Sequence, residues 1–118
     1  MSQTDYIDAD RRRAILSALS IARAYQLPLR ALQNTLEDVG YVTTIDRLRT
    51  DCGWLAEQGL AKMGANDVAI LTERGMDVAI GRADSHGVQR PGPSQVSALK
   101  EALAGAGGAL SRAINGGG

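Results

Sequence analysis

Between Leu27 and Thr72 short amphipathic stretches alternate with glycine turns, and that order restricts the fold more than any other feature of the chain. Leu29, Leu32, Leu36 and Val39 recur at helical spacing, which predicts a helix with one apolar face. Pro28 suits its first turn, where a missing N–H costs nothing. Gly40 then ends the helix in a left-handed conformation that a β-branched residue would resist, and Tyr41 and Val42 complete the turn. Thr43 or Thr44 caps a third helix running to about Gln58. Ile45, Leu48, Cys52 and Leu55 share one side of it; Thr43, Asp46, Arg47, Thr50 and Trp54 lie roughly opposite. Gly59 closes that helix and Leu60 returns to the core.

Two apolar runs, Leu60–Lys62 and Asp67–Leu71, flank Met63-Gly64-Ala65-Asn66 and predict a small hairpin. Thr72 caps a fourth helix, from Glu73 to about Ala83, with Met76, Ala79 and Ile80 inward. Upstream, residues 1–8 read as a polar lead. Asp8 or Asp10 caps a first helix reaching about Tyr25, with Ala14, Ile15, Ala18, Leu19, Ala22 and Tyr25 as its buried stripe. Arg11, Arg12 and Arg13 precede the stripe and are expected to face solvent or an anionic partner. Residues 84–94 form a linker in which Pro91, Gly92 and Pro93 forbid helix. An amphipathic helix over residues 95–114 follows, with the stripe Val96, Leu99, Leu103, Ala106 and Leu110, and then a disordered tail over 115–118.

These 118 residues make one domain with an appendage, since two independent cores would need a longer chain. Aromatics are 3% and Phe is absent, so the core is built from Leu, Ile, Val and Ala, which suits packed helices. Thirteen basic residues balance thirteen acidic ones, so any affinity for nucleic acid must come from a local patch. A single Cys and a single His exclude an internal disulfide, a Cys-based zinc cluster and a His pair. With no membrane-length apolar run and no signal-peptide core, a cytoplasmic protein is expected.

The segment VTTIDRLRTDCGWLAEQGLAKM resembles the recognition helix and exit of ArsR- and MarR-type winged-helix regulators. In those proteins a polar start and apolar positions lead into Leu-x-x-x-Gly-Leu, here Leu55-Ala56-Glu57-Gln58-Gly59-Leu60. LTERGMDVA is similar to the Leu-Thr-x-x-Gly segment that starts the helix after the wing. The likeness covers about residues 10–83. The whole arrangement, with its GVQRPGP tail, also resembles a family of small proteins in Mu-like phages and prophages. The expected fold is therefore mainly α: a winged helix-turn-helix domain over residues 9–83 (three-helix core, two-stranded β wing, fourth helix) plus the C-terminal amphipathic helix. The resemblance implies base reading by Thr43, Thr44, Arg47 and Thr50, and wing contacts from around Lys62 to Asn66. The cysteine and histidine sets of metal-sensing ArsR members are absent, so no metal and no cofactor is expected.

Double-stranded DNA is thus the first partner. Arg47 can grip guanine bidentately, and the Thr50 hydroxyl or methyl can contact several bases. Asp46 is expected to form an ion pair with Arg49 or Arg47. Trp54 is either covered by the first or C-terminal helix or forms part of a partner interface with Val96, Leu99, Leu103 and Leu110. The first helix and that terminal stripe are the expected homodimer contacts. Cys52 reads as a small core residue, and His86 takes no role. No Gly-rich phosphate loop, metal-ligand spacing or nucleophile–base pair is present, so an enzyme is not expected. The leading expectation is a phage transcriptional regulator. The rival is a protein-interaction module, a phage assembly or packaging factor or an inhibitor of a host defence complex, without DNA binding.

Overall fold

A computed structural model describes residues 3–93, and the predicted helix over 95–114, its Val96, Leu99, Leu103 and Leu110, and the tail over 115–118 lie outside that range. Among these described residues four α-helices pack with a three-stranded antiparallel sheet: α1 (Gln3–Ile21), β1 (Gln26–Pro28), α2 (Leu29–Asp38), α3 (Ile45–Glu57), β2 (Ala61–Gly64), β3 (Val68–Leu71) and α4 (Glu73–Ala79). The strand order is β1-β3-β2.

Helix α1 begins at Gln3, inside the stretch read as a polar lead. Asp8 and Asp10 therefore sit in the helix and cap nothing. Each pairs with the arginine one turn on, Asp8 with Arg11 at 2.8 Å and Asp10 with Arg13 at 3.2 Å, an acid-before-base order that supports a helix. The helix ends at Ile21, four residues before the expected Tyr25. Ala24 and Tyr25 both take φ 57°, a left-handed turn that leaves Tyr25 exposed instead of buried. Ala14, Ile15, Leu16, Ala18 and Leu19 are the buried stripe.

That turn delivers β1, a strand too short to show a period in the sequence. Gln26, Leu27 and Pro28 pair with Ile70, Ala69 and Val68. Pro28 is the last strand residue and the residue before α2, not the first helical one. It is tolerated because β1 lies at the sheet edge, where a missing N–H breaks no ladder. Helix α2 buries Leu29, Leu32 and Leu36, but Val39 lies beyond its end and is 65% exposed. Gly40 takes φ 98°, the left-handed stop the sequence required.

Strands β2 and β3 form the expected hairpin, with Ala61 opposite Leu71 and Gly64 opposite Val68. Asn66 (φ 60°) and Asp67 (φ 56°) make its turn. Inward residues of all four helices and of the sheet meet in one core of Ile15, Leu16, Leu19, Leu32, Leu36, Leu48, Cys52, Leu55, Leu60, Ala69 and Val78. Helix α4 is held close to the chain entering the hairpin. Thr72 Oγ1 accepts from the Gly75 N–H at 3.0 Å and donates to the Gly59 carbonyl at 2.7 Å. A Cβ on Gly75 would stand 2.0 Å from the Leu60 carbonyl oxygen, so only glycine permits this approach.

Residues 84–92 carry no regular structure but are no free linker. The Gln89 N–H donates to the Ala9 carbonyl of α1 at 3.2 Å, and Pro91 is buried.

Candidate nucleic-acid interface

Helix α3 has two chemically distinct sides. Leu48, Asp51, Cys52 and Leu55 are buried, whereas Thr44, Asp46, Arg47, Arg49 and Thr50 are exposed. The N-cap is Thr44, whose Oγ1 accepts from the Arg47 N–H at 3.0 Å. Thr43 is half-buried, and its carbonyl accepts from Gln33 Nε2 of α2 at 2.9 Å, which fixes the entry to α3.

The α3 residues expected to read bases are thus unequal. Thr44 uses its oxygen in the cap. Thr50 donates its hydroxyl to the Asp46 carbonyl one turn back at 3.1 Å, so its methyl group is what it offers outward. Arg47 is exposed, and among the described residues its guanidinium is in no hydrogen bond or ion pair. Arg49 is committed: it meets Asp46 at 3.2 Å and, across the gap to the hairpin, Asp67 at 2.9 Å. The expected Asp46–Arg49 pair is therefore present, and the second partner, Asp67, ties the hairpin turn to α3. Lys62 on β2 and Asn66 at the turn are exposed. Arg47, Arg49 and Lys62 are exposed here, as are Asp46, Asp67 and Glu57, a balance of charges.

The three consecutive arginines of α1 do not form the outward patch expected of them. Arg11 is buried and bonds Asp51 on α3, with Nε 2.5 Å from Oδ2. Asp51 itself is 2% exposed, a buried acid that the helical wheel did not single out. Arg13 is buried too. It donates to the Tyr41 hydroxyl at 2.8 Å, which in turn donates to Asp10 at 2.7 Å, joining α1 to the turn before α3. Arg12 lies over the Trp54 ring, 4.0 Å from its centroid, and donates to the Gly87 carbonyl at 3.0 Å. Trp54 is therefore half-buried, with Arg12 of α1 and Gly87 against its ring. The Arg11 guanidinium, with smaller contributions from Arg12 and Arg47, holds the Asp8 carboxyl below the ordinary carboxylate range. Cys52 lies in the core, and burial pushes its thiol up to about 12, which makes it inert as a nucleophile.

Among the described residues no group of three His, Cys, Asp or Glu side chains is placed to hold a metal ion. None of the described helices is long and apolar enough to cross a membrane. No family model matches the sequence, and no solved structure matches it. It is 38% identical over 92 residues to a protein of Escherichia phage Mu that carries the name uncharacterized protein gp26. That alignment takes in 75% of this chain and 95% of the Mu protein. The chain belongs to the family of the phage Mu gp26 protein.

Proposed function

We propose that the protein is a winged helix-turn-helix protein that binds duplex DNA and serves a phage or prophage as a transcriptional regulator. In this reading α3 enters the major groove and the β2–β3 hairpin is the wing beside the backbone. The observation that carries it is the pairing of an outward polar side of α3 with a hairpin held to it through Arg49 and Asp67. Arg47 is the base reader, since its exposed guanidinium matches the two acceptors of guanine. Thr50 presents a methyl group suited to thymine, while Lys62 and Asn66 take the phosphates.

The balanced charge of this surface makes one copy a weak binder, because phosphate neutralisation supplies much of such affinity. Two copies on a two-fold site would read a longer sequence with adequate strength. Repeated selection from a pool of random duplexes tests the proposal. A regulator enriches one motif, and its Arg47→Ala variant loses preference at a guanine of that motif.

One observation favours a second reading, in which the same surface docks a protein. Asp46 is 96% exposed at the start of α3, where a carboxylate would meet DNA phosphates, and Arg49 is already neutralised by two acids. A phage assembly or packaging factor, or an inhibitor of a host defence complex, would use such a surface. Selection that enriches no motif supports this second reading.

A further inference from the structure

Arg49 of α3 holds two acids, one through each terminal nitrogen. Nη1 donates to Asp46 at 3.2 Å and Nη2 to Asp67 at 2.9 Å. The two acids have different grounds in the fold. Asp46 stands in the first turn of α3, where the helix dipole favours a carboxylate. Asp67 stands in the β2–β3 turn at φ 56°, a conformation that Asn or Gly adopts as readily. The turn therefore needs a residue tolerant of positive φ at this position, but no negative charge. What the Asp67 carboxylate does in the described structure is hold Arg49.

That bond is placed to be exchanged. Its side chains are 49% and 56% exposed, so water solvates both groups once they part, and an exposed pair of this kind contributes little to stability. The Arg11–Asp51 pair, at 11% and 2% exposure, has no such freedom. A guanidinium takes a phosphate through the same planar fork that takes a carboxylate. Along a duplex the phosphates supply one negative charge per roughly 1.7 Å of axis. A hairpin lying beside that backbone brings Asp67 against like charge and Arg49 against a new acceptor at once.

We infer that Arg49 is a further phosphate contact of this surface, covered by Asp67 in the free protein and exchanged onto a backbone phosphate when duplex binds. The inference rests on the DNA reading above and adds a restraint to it: the free protein carries its own competitor for the duplex. The exchange also releases the hairpin from α3, so that it can follow the backbone.

Anisotropy of a labelled duplex of random sequence tests this at low salt and over a salt series. The proteins are the full chain, Asp67→Asn, Arg49→Gln and the two substitutions combined; circular dichroism confirms that each is folded. Asp67→Asn keeps the shape of the turn and removes the competitor. It is expected to bind about five- to tenfold tighter than the parent, with a salt slope steeper by about one phosphate. With Arg49→Gln already in place, Asp67→Asn should change affinity by no more than about twofold, because nothing is left to uncover. Should Asp67→Asn not fold, Asp67→Gly replaces it with the same expectation. An affinity of Asp67→Asn equal to or below that of the parent overturns the inference. So does an equal gain in the Arg49→Gln background, which marks general repulsion by Asp67. In both cases binding by the parent leaves the DNA reading standing. If neither the parent nor any variant binds duplex, that reading falls and the inference falls with it.

Discussion

Arg11 of α1 and Asp51 of α3 form a buried ion pair, with a second guanidinium contact at 3.1 Å beside the 2.5 Å one. It fixes α3 against the first helix from the side opposite its exposed face. Removing Asp51 would leave Arg11 its bond to Asp8, but removing Arg11 leaves the buried Asp51 charge uncompensated in a medium that solvates it poorly. Arg11→Leu is therefore expected to cost about 3–5 kcal/mol in a urea titration. Arg11→Leu combined with Asp51→Leu should recover most of that loss. A single variant within about 0.5 kcal/mol of the parent would show that the pair is solvated in solution.

Tyr41 gives the fold an alkaline limit. Burial, and then its hydrogen bond to Asp10, push the phenol above its ordinary value of 10.0, while Arg13 works the other way. The folded form holds this proton more tightly than the unfolded chain does. Its contribution is complete below about pH 10 and is lost as pH rises through the folded value. The urea midpoint should therefore fall above pH 10 in the parent, and fall less steeply in Tyr41→Phe. Identical pH profiles for the two would contradict the Asp10–Tyr41–Arg13 arrangement.

Gly75→Ala is expected to destabilise by about 3 kcal/mol or more, because the added carbon meets backbone at 2.0 Å and no side chain can yield. Calorimetry measures it. Gly53→Ala, with nothing within 4 Å of the added carbon, serves as the comparison and should be neutral or stabilising.

What could be read from the sequence was what local chemistry dictates. Leu29, Leu32 and Leu36 declared α2, Leu48, Cys52 and Leu55 declared the inner side of α3, and Thr72 declared the start of α4, because each signal lies within a few residues of its effect. Strand β1 was invisible for the opposite reason. Three residues carry no period, and their partners lie some forty residues on, at Val68–Ile70. Pro28 misled, since a helix start and a sheet edge both accept a residue without an N–H. The arginines of α1 read as a surface run because charge alone does not reveal a buried acid, and Asp51 sits on the margin between the two sides of α3. Trp54 was recognised as needing cover; that Arg12 and Gly87 supply it depended on a crossing segment that composition marked only as linker. Within the candidate interface, Arg47 and Lys62 were legible as exposed cations. The neutralisation of Arg49 by the hairpin acid Asp67 was not.

The most direct test of the account is the salt dependence of binding to a labelled duplex, followed by anisotropy for the parent and for Arg47→Ala with Lys62→Ala. If α3 and the hairpin engage DNA, the parent binds at low salt and its log affinity falls linearly with log salt. The double variant should then bind more weakly and with a shallower slope, by about two phosphate-equivalents at most. Binding that is absent at low salt, or that is unchanged by the double substitution, would contradict the assignment of this surface to nucleic acid.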